Sequence, residues 1–415
     1  MKITLPLAVF INAVRAVAIA ADPNSRFPAF GYIHAEAAGE TLRLAAASHK
    51  LSVSMQVPAF VETDGGFAMP ATLLEAMATA IADSADAITL TLHPTGRSVA
   101  IALKDGTAER SNKMNIKGLP LNEMPIVPHG SPADSMLLPS NALRSLIGDV
   151  AHAASPAGSA ENSWRSAVFL ALLEQERALA VATDGIRFCY RVSALPQTEN
   201  APEGRIAKHA ILPAATALDV RRLLPIGVDV LVSLPTSDDA VIRRNQRPTF
   251  FVPSTDTTIT VQEMEVNYVS WERILAIRCD ELRTDLIAVH RDTLMRACEK
   301  MRLFKWHMAL SLLPDADAPH GFSLNTNTTG ERGDIIVDLD ARLLRGAAPS
   351  EPVIVASEAL DVALKRLQGE YIGMHLSGPT SPVTLCPLLA DGESPDLTNI
   401  QTMAPIDLTP KKEAA

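Results

Sequence analysis

Apolar residues recur along this chain in one repeated helical spacing. In Leu138–Ala153 a short apolar run ends at Pro139, and apolar residues follow at Leu143, Ile147 and Val150. That spacing marks one face of an α-helix, and proline suits a first turn because its missing N–H would have found no partner there. The same template starts at Pro6 (Phe10, Val14, Val17) and at Pro70 (Leu74, Ala78, Ile81). From Pro213 it gives Ala217, Arg221 and Leu224, with one polar miss. Two copies lack the proline: His290 leads to Leu294, Cys298 and Met301, and Ala356 leads to Leu360, Leu364 and Leu367. Starts lie 64 to 77 residues apart, and six copies predict six duplicated units.

Between the helices the pattern changes to alternating or continuously apolar runs, which predict strands. The first unit reads as strand Lys2–Leu5, helix Pro6–Ile19 and strands Ala29–Ala37, Glu40–Ala47 and Leu51–Pro58. The second has strand Phe67–Met69, helix Pro70–Ala82 and strands Ala87–His93, Val99–Leu103 and Lys113–Lys117, with a hairpin turn at Asp105-Gly106. Leu119–Pro132 reads as a linker. Trp164–Leu173, Arg177–Ala182 and Ile186–Val192 follow the third helix, and Asp184-Gly185 turns the last two. His209–Leu212 feeds the fourth helix, followed by Val228–Leu234, Ala240–Arg243 and Thr258–Glu263; Arg243–Thr257 reads as a longer loop or bent hairpin and Tyr268–Ile277 as a connector. The last two units repeat the order. Short connections favour antiparallel pairing, and helices bury a stripe only against a sheet. The expected class is α+β, with helices grouped on one side of the sheets. Two units per domain place three similar domains at 1–130, 131–277 and 278–408, with a polar tail at 409–415.

Composition narrows the function classes. A net charge of −10 argues against a basic coat over the whole surface. The predicted helices are nevertheless richer in Lys and Arg than in Asp and Glu, with Arg15, Arg144, Arg221, Arg222, Arg291, Arg296, Lys300, Arg302, Lys365 and Arg366. Basic helices on an acidic chain would hold a nucleic-acid backbone without reading its sequence. Aromatic content of only 4% and the lack of an RNA-recognition signature disfavour base stacking. Cys189, Cys279, Cys298 and Cys386 show no paired spacing, so neither a disulfide framework nor a zinc site is expected, and a reducing cytoplasm is. The start of the chain resembles a secretion signal, but Pro6, Asn12 and Arg15 interrupt its apolar core. No apolar run is long enough to span a membrane. Asp149, His152 and Ser155 suggest a hydrolase, yet no G-x-S-x-G elbow accompanies them. With no P-loop, H-E-x-x-H or dinucleotide fingerprint, no enzyme activity, cofactor or metal is expected.

Several motifs carry a family resemblance across nearly the whole chain. They are Ala180–Phe188 (AVATDGIRF), Gly66–Ala71 (GFAMPA), Asn115–Pro120 (NIKGLP) with Met124-Pro125, Ala210–Pro213 (AILP) and Met403–Leu408 (MAPIDL). Together with the six units they resemble the bacterial sliding clamp, the beta subunit of the replicative DNA polymerase III. The resemblance implies a head-to-tail homodimeric ring, its helices facing duplex DNA, that tethers the replicative polymerase for processive synthesis. It implies DNA contact by Arg26, and by helix position Arg144, Arg221, Arg296 and Lys365. A pocket between the second and third domains would take short linear peptides of the polymerase and the clamp loader. It maps to Thr183, Gly185, Arg187, Phe188, Val269, Ile274, Pro405, Ile406 and Leu408. Met114 and Ile116 would sit on one edge of the dimer interface and Leu303 on the other. Val269 stands where the family has proline, Asp407 where it usually has a basic residue, and Thr409–Ala415 runs past the usual end. The alternatives are a clamp-like scaffold that no longer encircles DNA and, from the residues alone, a soluble hydrolase.

Overall fold

The six units form, each as a strand, a helix and three further strands. The fold is described from a computed structural model that covers the chain except residues 83–84, 94–95, 106–107, 122–133, 157–159, 175–176, 194–205, 237–245, 303–306, 315–321, 328–335, 348 and 407–415; residues 108–113 and much of 302–340 are described by backbone alone. The first pair of units runs β1 (Lys2–Pro6), α1 (Leu7–Ala18), β2 (Tyr32–Ala38), β3 (Thr41–Ala47), β4 (Leu51–Pro58), β5 (Phe60–Thr63), β6 (Gly65–Pro70), α2 (Ala71–Ala80), β7 (Ala87–Leu92), β8 (Ser98–Asp105), β9 (Ala108–Lys117) and β10 (Leu119–Pro120). The second pair runs β11 (Met136–Pro139), α3 (Ser140–Val150), β12 (Ala167–Leu173), β13 (Arg177–Thr183), β14 (Arg187–Val192), β15 (Ile206–Pro213), α4 (Ala214–Leu223), β16 (Asp229–Ser233), β17 (Thr249–Val252) and β18 (Thr257–Val261). Helix α5 (Trp271–Thr284) follows. The third pair is β19 (Leu286–His290), α6 (Arg291–Arg302), β20 (His307–Pro314), β21 (Phe322–Asn327), β22 (Ile336–Arg345), β23 (Val353–Ala356), α7 (Ser357–Leu364), β24 (Tyr371–His375), β25 (Val383–Pro387) and β26 (Asn399–Met403).

The periodic positions mark the core. Every apolar residue of the template, from Phe10 in α1 to Leu367 beyond α7, is at most 6% exposed, and the polar miss, Arg221, is half-buried. Each helix starts one residue after its template start, because Pro6 and Pro70 end their strands with φ near −57° before the chain turns helical. α1 packs against α2 and against β3 and β4, and α6 packs against α7. The helices thus bury their stripes on sheet faces and on each other.

Strand pairing exchanges between the units. β1 joins the trio β7–β9 of the following unit, and β6 joins β2–β4. β11 joins β16–β18, β19 joins β24–β26, and β23 joins β20–β22. Adjacent pairs then share sheets through their third strands. β4 pairs with β18 from Leu51↔Val261 to Met55↔Thr257, and β14 pairs with β26 from Arg187↔Met403 to Arg191↔Asn399. Contacts gather into two compact units: Met1–Ala142 with Lys208–Leu212 and Asp219–Glu263, and Leu143–Ala207 with Pro213–Leu218 and Met264–Ala415.

One expectation fails. The connector Tyr268–Ile277 is largely the first half of α5, whose buried residues Trp271, Cys279 and Leu282 keep a helical spacing outside the six-unit template. Of the two readings of Arg243–Thr257, the structure shows the bent hairpin: β17 lies within it, and a 3-10 turn at Pro253–Thr255 followed by left-handed Asp256 (φ 42°) folds it onto β18. The expected strand Ala240–Arg243 lies outside the described residues. Within the anticipated linker, Leu119–Pro120 pairs with β6.

Candidate functional site

The hairpin between β13 and β14 locks itself with its own side chains. Asp184 Oδ1 accepts the N–H of Ile186 at 2.9 Å and of Arg187 at 2.7 Å, while Oδ2 accepts the Arg187 guanidinium at 2.8 and 3.0 Å. Thr183 Oγ1 donates to the Arg187 carbonyl at 2.5 Å and accepts the Gly185 N–H at 3.1 Å. Gly185 takes φ 89°, where a side chain would strain the backbone. Burial works to raise the Asp184 pKa, but the hydrogen bonds from Arg187 and Ile186 and the guanidinium charge outweigh it and hold the carboxyl below its ordinary range. The turn therefore fixes Arg187 and presents Ile186, 65% exposed, to solvent.

The chain end runs alongside this hairpin. β26 pairs Thr402 with Phe188 and Met403 with Arg187. Beyond it the Ala404 N–H donates to the Ile186 carbonyl at 2.8 Å, and the Ile406 N–H donates to the Ile354 carbonyl at 2.7 Å. Pro405 and Ile406 stay half-buried. A third segment is tied down nearby. The Tyr268 hydroxyl donates to the carbonyl of Val181, at 3.2 Å. Trp271 packs against Phe169 (5.7 Å) and Tyr190 (6.1 Å). Val269, whose carbonyl accepts the Trp271 N–H at 2.8 Å, and Ile274 are half-buried at the start of α5.

Thr183, Gly185, Arg187, Phe188, Pro405 and Ile406 are thus brought onto one hairpin and the strand extension beside it. Phe188 is only 4% exposed, so it is a floor residue rather than a contact surface. Asp407 and Leu408 lie outside the described residues. Sequence reading missed Ile186 and Arg165, whose guanidinium lies over Trp164 at 5.3 Å and 3.7 Å from where a side chain on Gly185 would begin. An apolar residue just after a turn glycine was the available signal for Ile186.

A buried polar chain underlies the hairpin. Cys189 Sγ donates to Gln401 Oε1 at 2.9 Å and lies 3.5 Å from His152 Nε2. Gln401 Nε2 donates to Asn399 Oδ1 at 2.7 Å and to the Asp149 carbonyl at 3.2 Å, and Asn399 donates to the Arg366 carbonyl at 2.9 Å. Burial, then the charges of Arg366 and Arg187, lower the His152 pKa to about 4. Of the residues that suggested a hydrolase, His152 faces Cys189 and Asp149 approaches Arg191 at 3.6 Å. All four cysteines are free and buried.

The expected DNA-facing cations differ in availability. Arg26 is exposed in the loop between α1 and β2. Arg296 is exposed on α6, with its Nε donating to the Asp292 carbonyl. Arg144 and Arg221 are half-buried and engaged locally. The Lys365 ammonium binds Asp361 Oδ2 at 2.8 Å, and Asp361 is 1% exposed, so that charge already compensates a buried carboxylate. On β9, Met114 is half-buried and Ile116 is 4% exposed; Leu303 lies outside the described residues.

No protein-family model matches the chain. The beta sliding clamp of Synechococcus elongatus is 22% identical over 382 residues, 89% of this chain and 91% of that one. The DNA polymerase sliding clamp of Bacillus subtilis superposes with a TM-score of 0.78 at 17% identity, covering 99% of this chain and 100% of its own. The Pseudomonas aeruginosa sliding clamp bound to griselimycin gives 0.76 at 16%, covering 98% and 100%. The fold is that of the bacterial sliding clamp. At these identities the chain resembles the beta clamps over nearly its whole length while sharing few of their residues.

Proposed function

We propose that this chain is a DNA sliding clamp, a processivity factor rather than a catalyst, working in the cytoplasm. Two copies close head to tail around duplex DNA, and the ring receives short peptides of the replicative polymerase and the clamp loader. In this reading 1–130, 131–277 and 278–408 are the three domains of each copy. Arg26, Arg144, Arg221 and Arg296, with Lys365, face the duplex, and contact through phosphates leaves the ring free to slide.

The observation that carries this reading is the seam rule. Third strands pair wherever one pair of units meets the next, β4 with β18 and β14 with β26. Two third strands remain. β9 pairs with β8 on one side, and β22 pairs with β21 over Ile336–Ala341. Among the described residues β9 has no strand on its other edge, and β22, which pairs with β19 from Ala341 onward, has none over Ile336–Asp340. An open edge is a row of unmet hydrogen bonds. The same rule applied between copies joins β9 of one to β22 of the next and supports a closed ring of two.

The peptide site is the Thr183–Phe188 hairpin with Pro405, Ile406 and Leu408, flanked by Val269 and Ile274. Its exposed apolar Ile186 beside a fixed guanidinium suits a peptide with one apolar anchor and an acidic or carbonyl group. The deciding experiment is retention on circular against linear duplex. Retention on circles that vanishes on linearisation is expected; equal retention on both would mean ordinary surface binding.

A further inference from the structure

Three aromatic rings meet at the surface of the first unit, contributed by two separate turns. Phe27 and Phe30 belong to the loop between α1 and β2, and His49 to the turn between β3 and β4. Phe30 and His49 lie 4.7 Å apart at 86°, Phe27 and His49 5.3 Å apart at 72°, and Phe27 and Phe30 5.9 Å apart at 58°. Such edge contacts orient rings that would otherwise turn freely. Both turns are closed by hydrogen bonds. The Asp22 N–H donates to the Phe30 carbonyl at 2.8 Å, the Phe27 N–H to Ser25 Oγ at 3.1 Å, and the Ser48 N–H to the Leu51 carbonyl at 2.8 Å.

The cluster is built yet left open. Phe27 is 58% exposed, and His49, Arg26 and Lys50 are exposed as well. Arg26 adjoins Phe27 in sequence and Lys50 adjoins His49; among the described residues no carboxylate pairs with either cation. The Asp22 carboxylate accepts the Asn24 N–H. An exposed ring braced by a second ring, with a cation beside each, has the chemistry of a single-strand binding surface. A base stacks on the ring and the cations take the phosphates. Low overall aromatic content hides this, because stacking needs one well-placed ring rather than many.

We propose that Phe27, braced by His49 and flanked by Arg26 and Lys50, is a stacking platform for an unpaired nucleobase. Paired bases inside a duplex offer no free face, so the ligand is the single strand at a gap, overhang or duplex end. The proposal deepens the nucleic-acid reading above, but it needs no ring closure, since a short linear strand suffices.

The test uses the full chain and two labelled strands of ~12 nucleotides, oligo-thymidylate and its abasic counterpart of equal charge. Binding of the base-bearing strand is expected to be about tenfold tighter. Phe27→Ala should abolish that difference, Phe27→Trp should keep it, and Arg26→Ala should weaken both strands alike. Equal binding of the two strands, or a preference that survives Phe27→Ala, would overturn the proposal. So would an acidic peptide of equal charge that competes as well as the thymidylate strand. Retention of the same variants on circular duplex, measured in parallel, separates the two readings. Phe27→Ala should lose base preference and keep ring retention.

Discussion

Asp184 holds Arg187 from two sides, its Oδ1 on the backbone N–H at 2.7 Å and its Oδ2 on the guanidinium at 2.8 Å. One carboxylate therefore sets both the turn and the position of the cation it presents. Asp184→Asn keeps an oxygen for the backbone and loses the ion pair, whereas Asp184→Ala loses both. Asp184→Ala is expected to cost about 1–3 kcal/mol of stability, and Asp184→Asn less. Urea midpoints of the two variants check the order, and equal costs would show that the backbone bonds carry little. Because the folded pKa of Asp184 is lowered, its contribution is present above the ordinary carboxyl pKa and is lost as acid titrates the folded form.

Phe188 and Ile186 should separate stability from binding. Phe188→Ala opens a cavity in a buried site and is expected to cost about 3–5 kcal/mol, so a loss of peptide binding there is ambiguous. Ile186→Ser, at a 65% exposed site, should leave the melting temperature within a degree or two and weaken a clamp-binding peptide about tenfold. Unchanged peptide affinity would remove the hairpin from the binding site.

Two histidines should make the fold acid-sensitive above the carboxylate range. Burial, aided by nearby arginines, lowers His34 and His152 to about 4 from an ordinary value of 6.5. Between those values the unfolded chain takes up protons that the folded chain refuses, so stability falls as pH drops from 6.5 towards 4. Denaturant midpoints should decline across this window, and the decline should flatten in His34→Gln and His152→Gln. An unchanged slope in both variants would contradict the assignment.

The open edge of β9 should control assembly. N–H groups alternate sides along a strand, so of Met114 and Asn115 one points towards β8 and the other away. Proline at the outward position should leave a folded monomer of 44.4 kDa, and proline at the inward one should lower the melting temperature instead. Light scattering with thermal melts distinguishes them. Wild type that scatters as a monomer would count against the ring.

Lys365 should behave as a structural cation. Lys365→Ala removes a cation from the 1% exposed carboxylate of Asp361 and is expected to cost about 1–3 kcal/mol, whereas Arg26→Ala should change stability by less than about 0.5 kcal/mol. Melting curves of the two variants give the comparison; equal stability would leave Lys365 available to DNA.

What could be read in advance was whatever the chain writes locally. Phe10, Val14 and Val17, and their counterparts in the other units, are buried because one helical face is enough to specify burial. The Thr183–Arg187 turn was legible because its lock lies within five residues. Helix α5 was missed because its buried residues, Trp271, Cys279 and Leu282, fall outside the repeated unit. The Cys189–Gln401 bond joins residues 212 apart, and no spacing rule reaches that far. The Phe27–His49 contact was equally invisible, since it depends on how two turns stack.

The seams have a consequence for dissecting the protein. β4 is zipped to β18, some two hundred residues further on, so a fragment ending at residue 130 leaves a bare strand edge where β18 belongs. A cut after residue 277 would split α5 and part β14 from β26. Such fragments should clump rather than stay dispersed. The repeats look modular on paper, yet the molecule behaves as woven cloth, and a nick in any connecting loop should leave its halves clasped together.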